Sequence, residues 1–162
     1  MLTSGDGRAG PLGSWKGKLA AAATTGATEG LTRMIFTQAE RDYLDSQHIG
    51  RLATVSPDGQ VQNNPTNFFL DADTGTIVIG GGALGRTKKF RNVLQGSTVA
   101  FVVDDLATVD PWTPRGIEIR GKAAALTDHE PPLPGLSREI IRITPTKVIS
   151  WGLGGPRASR TV

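Results

Sequence analysis

The sequence predicts a mainly β protein, an antiparallel barrel or sandwich of six or seven strands with two short flanking helices. Three observations carry this. Runs rich in Val, Ile and Thr recur from residue 49 to residue 151. Turn strings such as Pro57-Asp58-Gly59 and Asp71 to Gly75 separate them. Helical periodicity is confined to the neighbourhoods of residues 37–47 and 87–95, so no β-α-β alternation is available to build a parallel sheet.

In chain order, residues 1–33 hold seven glycines, six alanines and five threonines without sustained periodicity. Such a composition cannot bury enough apolar surface to offset ordering entropy, and it reads as a disordered extension. Gly10 to Ser14 spells GPLGS, a string also left behind by tag removal, and Met34 would make a natural start. The expected division is therefore an extension at 1–33, a folded domain at 34–153 and a loose glycine-rich tail at 154–162. Thr37-Gln38-Ala39-Glu40 has the capping-box pattern, in which the threonine hydroxyl and the glutamate reciprocally satisfy backbone N–H groups. A helix should follow to about Gln47, with Tyr43 and Leu44 on its apolar side. His48 falls near its end, where the dipole favours a cation, so a capping or structural role is expected for it rather than a catalytic one.

Ile49 to Ser56 and Gln60 to Leu70 flank the Pro57-Asp58-Gly59 turn as a β-hairpin. The second strand carries Gln62, Asn63, Asn64, Thr66 and Asn67 where valine or isoleucine would be ordinary, and Pro65 removes a ladder donor. Two readings stand: an edge strand with a solvated face, or a polar wall presenting donors and acceptors to a flat heterocycle. After Thr76 to Ile79, a buried strand, come a glycine turn and an amphipathic helix with Phe90, Val93 and Leu94 on its packed side. Ser97 to Val103 should form a strand, Asp104 to Pro114 a loop containing Trp112, and Arg115 to Leu126 a long strand. Pro131, Pro132 and Pro134 forbid regular structure. Glu139 to Ile143 and Lys147 to Trp151 read as two short strands parted by Thr144-Pro145-Thr146.

The chemistry is bounded by what the 162 residues contain. With no cysteine, disulfides, thiolate catalysis and cysteine-ligated metal are excluded, and His48 and His129 are too few for a three-histidine zinc site. No apolar run is long enough to span a membrane and no secretion signal is evident, so a cytoplasmic protein without a membrane partner is expected. Of the net charge of +3, two units lie within residues 1–33, which leaves the rest nearly neutral and argues against a nucleic-acid surface.

One stretch concentrates functional signals. In Thr76 to Gln95, Gly80, Gly81 and Gly82 let backbone approach a ligand, and Arg86, Lys88, Lys89 and Arg91 follow at once. A strand, a glycine turn and a cationic helix start make an anion site suited to a phosphorylated small molecule. Gly80 to Thr87 nearly satisfies GxxxxGK[ST], with Arg86 in place of the lysine. The absent β-α-β pattern and the short chain set nucleotide hydrolysis aside. The same charges could merely be a solvated helix face. Trp112 and Trp151 read as core or interface anchors, and His129 in a polar turn receives no role. Asp71 with Asp73, and Asp104 with Asp105, read as turn residues rather than catalytic pairs. No GxSxG nucleophile is present. No catalytic side chain is assigned, so a bound cofactor must carry the chemistry.

The order GRLATVSPDGQVQNNPTNF, GTIVIGG, TKKFRNV, VAFVVDDL, DPWTPRGIEIRGKA, IRITPTKVISWGL resembles the pyridoxamine 5′-phosphate oxidase-like superfamily, and within it the actinobacterial branch of F420-dependent enzymes. The likeness spans about residues 35–153. It implies a six-stranded antiparallel split β-barrel, the FMN-binding split barrel, assembled as a homodimer with cofactor sites at the interface. It further implies that Lys88 and Lys89 meet the cofactor phosphate, with Thr87, Arg86 or Arg91 in the place of a family arginine. The backbones of Gln62, Asn63, Asn64 and Pro65 and of Gly80, Gly81 and Gly82 would face the ring. The expected activity is hydride transfer between coenzyme F420 and a small organic substrate. FMN is the alternative cofactor, and a non-enzymatic flavin or deazaflavin carrier is the alternative role.

Overall fold

The computed structural model describes residues 34–162, so the expected extension at 1–33, with its GPLGS string, lies outside the described residues. The elements run α1 (Gln38–Ser46), β1 (Ile49–Val55), β2 (Val61–Asn67), β3 (Phe69–Asp71), β4 (Thr76–Ile79), α2 (Lys88–Leu94), β5 (Val99–Thr108), β6 (Thr113–Leu126), β7 (Ile140–Trp151) and β8 (Ala158–Thr161). They form one antiparallel sheet ordered β2-β1-β5-β6-β7-β4-β3, with β8 added to β7. The sheet curls into a half-barrel flanked by two helices, which confirms the mainly β split-barrel class, with eight strands where six were expected.

The core lies in the hollow of the curl. Leu52, Phe101, Val103, Ile117, Ile119, Ile141, Ile143 and Val148 line it, and Tyr43 and Leu44 of α1 and Phe90 and Val93 of α2 close over it. These residues alternate along β1, β5, β6 and β7, since neighbouring side chains on a strand point to opposite faces. The capping box is present as predicted: the Thr37 hydroxyl accepts from the Glu40 amide and the Glu40 carboxylate accepts from the Thr37 amide at 2.8 Å. His48, in contrast, has no capping role, because α1 ends at Ser46 with Gln47 as its cap and His48 lies exposed beyond it.

Four boundaries differ from expectation, each for a local reason. Gln60 to Leu70 is not one strand: Phe68 turns inward edge-to-face on Phe101, at 5.2 Å between ring centres, and β2 and β3 end up on opposite edges of the sheet. β5 continues to Thr108, which shortens the expected loop at 104–114 to residues 109–112. Asp104 and Asp105 are therefore strand residues rather than turn residues, Asp104 paired with Arg51 and Asp105 with Arg115 at 2.7 Å. Asp71 does hold a turn, accepting from the amides of Asp73 and Thr74. Tail residues 158–161 form β8 rather than a loose end, hydrogen-bonded along β7 from Lys147 to Ser150.

The fourth difference is β7, a single strand through Pro145 where two were expected. The register against β6 shifts between Arg120 and Gly121, and this irregularity absorbs the proline's missing donor. Gly121 is required there, because a Cβ on it would stand 2.2 Å from the Thr144 carbonyl oxygen. Gly121→Ala should cost about 2 kcal/mol or more, as overpacking against backbone does, and read out as a lowered urea midpoint at unchanged m-value.

Candidate functional site

Thr76 to Gln95 folds as its sequence implies. All four residues of β4 are buried, and Gly80 follows directly. A 3-10 turn at Leu84–Arg86 leads to Thr87, which caps α2: its hydroxyl accepts from the Phe90 amide at 3.3 Å and donates to the Leu84 carbonyl at 2.7 Å. The Thr87 hydroxyl is thus committed to the chain on both sides. Phe90 and Val93 point inward as predicted, but Leu94 is 59% exposed. The reason is Asn92, buried instead, whose Nδ2 donates to Thr54 Oγ1 of β1 at 2.9 Å and sets the rotation of the helix.

The cations differ in their company. Arg86 lies in the field of Glu139, whose carboxyl is held below the usual range by the Ser137 hydroxyl and backbone hydrogen bonding, with a further contribution from Arg86. Arg91 Nη1 donates to the Arg86 carbonyl at 2.7 Å. Lys88, exposed, sits within the electrostatic reach of Asp58 in the β1–β2 turn. Lys89 is half-buried, burial alone pushes its ammonium below the usual lysine range, and it forms no ion pair among the described residues. A desolvated, unpaired cation is costly unless an anion joins it, which marks Lys89 as the side chain with an unmet electrostatic demand.

The three glycines have different surroundings. A side chain on Gly80 would meet Leu136 Cδ1 at 2.9 Å and Pro132 Cγ at 3.1 Å, so Gly80 is small because the 131–139 segment crosses it closely. Gly81 is in ordinary contact with Leu84, and Gly82 faces open space. On β2, the edge strand of one reading, Gln62 and Asn64 alternate with the exposed Asn63 and Pro65. Gln62 pairs in register with Thr54, so it shares a face with Asn92. The buried Oε1 of Gln62, Oδ1 of Asn67 and Oδ1 of Asn92 have no partner. The structure thus brings α2 to β1 and to the turn that starts β2, while the glycine turn is held from the other side by residues 131–139.

The remaining sequence candidates stay outside this arrangement. Trp112 is 69% exposed at the β5–β6 turn and is no core anchor, whereas Trp151 is half-buried over Gly116. His129, given no role, has Nε2 2.9 Å from Arg142 Nη2. Among the described residues no cluster of three or more His, Asp or Glu could hold a metal, and no helix is long and apolar enough to cross a membrane. Sequence reasoning missed Ser137 and Glu139 beside the glycine turn. Ser137 lies in an irregular proline-rich stretch where no periodicity could place it, and Glu139, expected to open a strand, stands just before β7.

Comparison with known proteins then decides the family. The family model described as pyridoxamine 5′-phosphate oxidase matches residues 36–152, nearly the whole described region. The chain belongs to the pyridoxamine 5′-phosphate oxidase family. Within the curated proteins, a 5a,11a-dehydrotetracycline/5a,11a-dehydrooxytetracycline reductase of Streptomyces rimosus is 46% identical over 123 residues, covering 75% of this chain and 87% of that one. With this relative, the family makes the chain an enzyme, an oxidoreductase.

Solved structures agree on the fold. A conserved hypothetical protein, Rv2991 of Mycobacterium tuberculosis, superposes with a TM-score of 0.57 at 23% identity, covering 83% of this chain and 98% of that one. General Stress Protein 26 of Bacillus anthracis gives 0.57 at 16% identity, over 76% and 96%. A heme binding protein of Mycobacterium smegmatis gives 0.58 at 15% identity, over 78% and 59%. At these identities the likeness is one of fold alone, shared with proteins whose names point to different roles, so function must be argued from the site.

Proposed function

We propose that this chain is an F420H2-dependent reductase that saturates a conjugated double bond in a small, oxygen-rich organic molecule. The observation that carries the reading is the 46% identity to a reductase whose name describes a dehydro compound as substrate, over 87% of that protein. Saturation of such a bond adds two hydrogens. When bound, the reduced deazaflavin supplies one of them as hydride, and the other enters as a proton from solvent or a backbone-held water.

The chain's own groups suit a phosphorylated ring cofactor. Lys89, half-buried and unpaired, would bind the phosphate, and Lys88 would add a second charge at the start of α2. Thr87 and Arg91 would act through the helix start, Thr87 by capping it and Arg91 by holding the Arg86 carbonyl. Gly82 faces open space and would let a ring or its linker approach, next to Gly81 and Gly80. The Gln62 Oε1, buried and unpartnered, would accept from a ligand N–H group only after its side chain turns outward, beside the backbone of Asn63, Asn64 and Pro65. We further propose a homodimer with the cofactor at the interface. In support, β2 is an open sheet edge, and Ile49 and Val61 beside it are large exposed apolar residues.

Parallel titration with F420, FMN and heme tests the reading. F420 fluorescence should be quenched with saturation, and protein loaded with reduced F420 should turn over members of a panel of dehydrotetracyclines, enones and quinones. Preferential FMN binding with a flavin spectrum in freshly purified protein would move the assignment to an FMN oxidoreductase. Tight F420 binding without turnover across the panel would move it to a carrier.

A further inference from the structure

Ser137 contributes to both ends of the glycine turn. Its amide donates to the Gly81 carbonyl at 2.9 Å, and its hydroxyl lies 3.0 Å from the same carbonyl, its one proton shared between that oxygen and the Glu139 carboxylate. The hydroxyl also accepts from the Leu84 amide at 3.3 Å. One side chain therefore ties the start of the turn to the 3-10 turn that ends it, three residues before α2's cap. The brace around it is continuous: Pro132 and Leu136 press on Gly80, and the Glu139 side chain lies where a Gly85 side chain would stand, 3.0 Å from its Cγ. Glu139 also lies in the field of Arg86, and among the described residues no carboxylate forms an ion pair with Lys89.

We infer that Ser137 is a positioning residue for the ligand site, its hydroxyl fixing the path of Gly81 to Leu84 and through it the placement of Thr87, Lys88 and Lys89. This rests on the reading of those lysines as the phosphate site. A turn with Gly81 and Gly82 has wide conformational freedom, and no side chain of its own restrains it. Without an external tie, the turn must be ordered when the ligand arrives, and affinity falls by the fraction of time spent in the competent arrangement.

The test compares wild type, Ser137→Ala and Ser137→Thr. Ser137→Ala removes the bridge and keeps the amide bond to Gly81, while Ser137→Thr restores a hydroxyl. For Ser137→Ala we expect F420 dissociation constants to rise about tenfold, KM for F420H2 to rise with kcat little changed, and Leu84 amide hydrogen exchange to accelerate in the ligand-free protein. Ser137→Thr should recover most of each change. Unchanged F420 affinity in Ser137→Ala, or a loss that Ser137→Thr does not recover at equal melting temperature, would overturn the inference. If wild type binds neither F420 nor FMN, the phosphate reading itself fails. The tie is then judged by Leu84 exchange alone, and equal protection in wild type and Ser137→Ala overturns it.

Discussion

Lys88→Ala combined with Lys89→Ala should weaken F420 binding by about a hundredfold or more while the fold remains intact. The magnitude follows from two charge-assisted contacts, each contributing roughly 1.5–3 kcal/mol when the partner is ionised. The two single variants should differ. Lys89 is half-buried, its ammonium disfavoured by burial and unpaired, so an arriving phosphate removes an electrostatic penalty as well as making a contact. Lys88 is exposed and partly answered by Asp58, so its contact is more screened. Lys89→Ala should therefore cause the larger loss, and it should slightly stabilise the ligand-free protein by removing a desolvated charge. Fluorescence titration and thermal melting of the single and double variants read both effects. Equal affinity in wild type and the double variant would sink the phosphate assignment.

The parts of this site that sequence could show are those written in local chemistry. Thr37-Gln38-Ala39-Glu40 announced a helix start because capping is a contact within one turn. Ile77 to Ile79 announced a buried strand because a short unbroken apolar run has few other homes. The position of Leu94 was not legible, since the rotation of α2 is set by Asn92 reaching Thr54, a partner 38 residues away in sequence. Nor was the identity of Gly80's neighbours: three consecutive glycines look alike in sequence, yet one is pressed by Pro132 and Leu136 and another faces open space. Pro145 was read as a break because a proline cannot donate to a ladder. A register shift opposite Gly121 accommodates it, and that depends on the partner strand.

The expected loose tail raises the same point at larger energetic scale. Glu40, 2% exposed, is known from sequence only as the second half of a capping box. Its carboxylate also receives Arg160 of β8, with Nη1 at 2.8 Å from Oε1, while Arg160 Nη2 donates to the Ile35 carbonyl. Burial acts to raise the Glu40 carboxyl. Hydrogen bonds from Arg160, the Thr37 amide and Ser150 outweigh it and hold the group below the usual range.

Glu40→Ala should therefore cost about 3 kcal/mol, since it removes one partner of a buried pair and leaves the other guanidinium poorly answered. Arg160→Ala should cost a comparable amount by leaving Glu40 buried and charged. The double variant should lose less than the two single losses combined, because neither partner is then stranded. The pH dependence has a fixed sign. A carboxyl depressed in the folded state adds stability that is fully present above its unfolded value, near about 4.3, and is lost as pH falls through the folded value. Urea unfolding of wild type should thus weaken on acidification in a way that Glu40→Ala does not share. Hydrogen exchange locates the effect: amides of β8 should lose protection in Glu40→Ala before those of β5 or β6, because β8 pairs with β7 alone and depends on this clasp to stay there. Uniform loss of protection across the sheet would instead show that the pair secures the α1 cap and the core beneath it, with β8 held by its ladder.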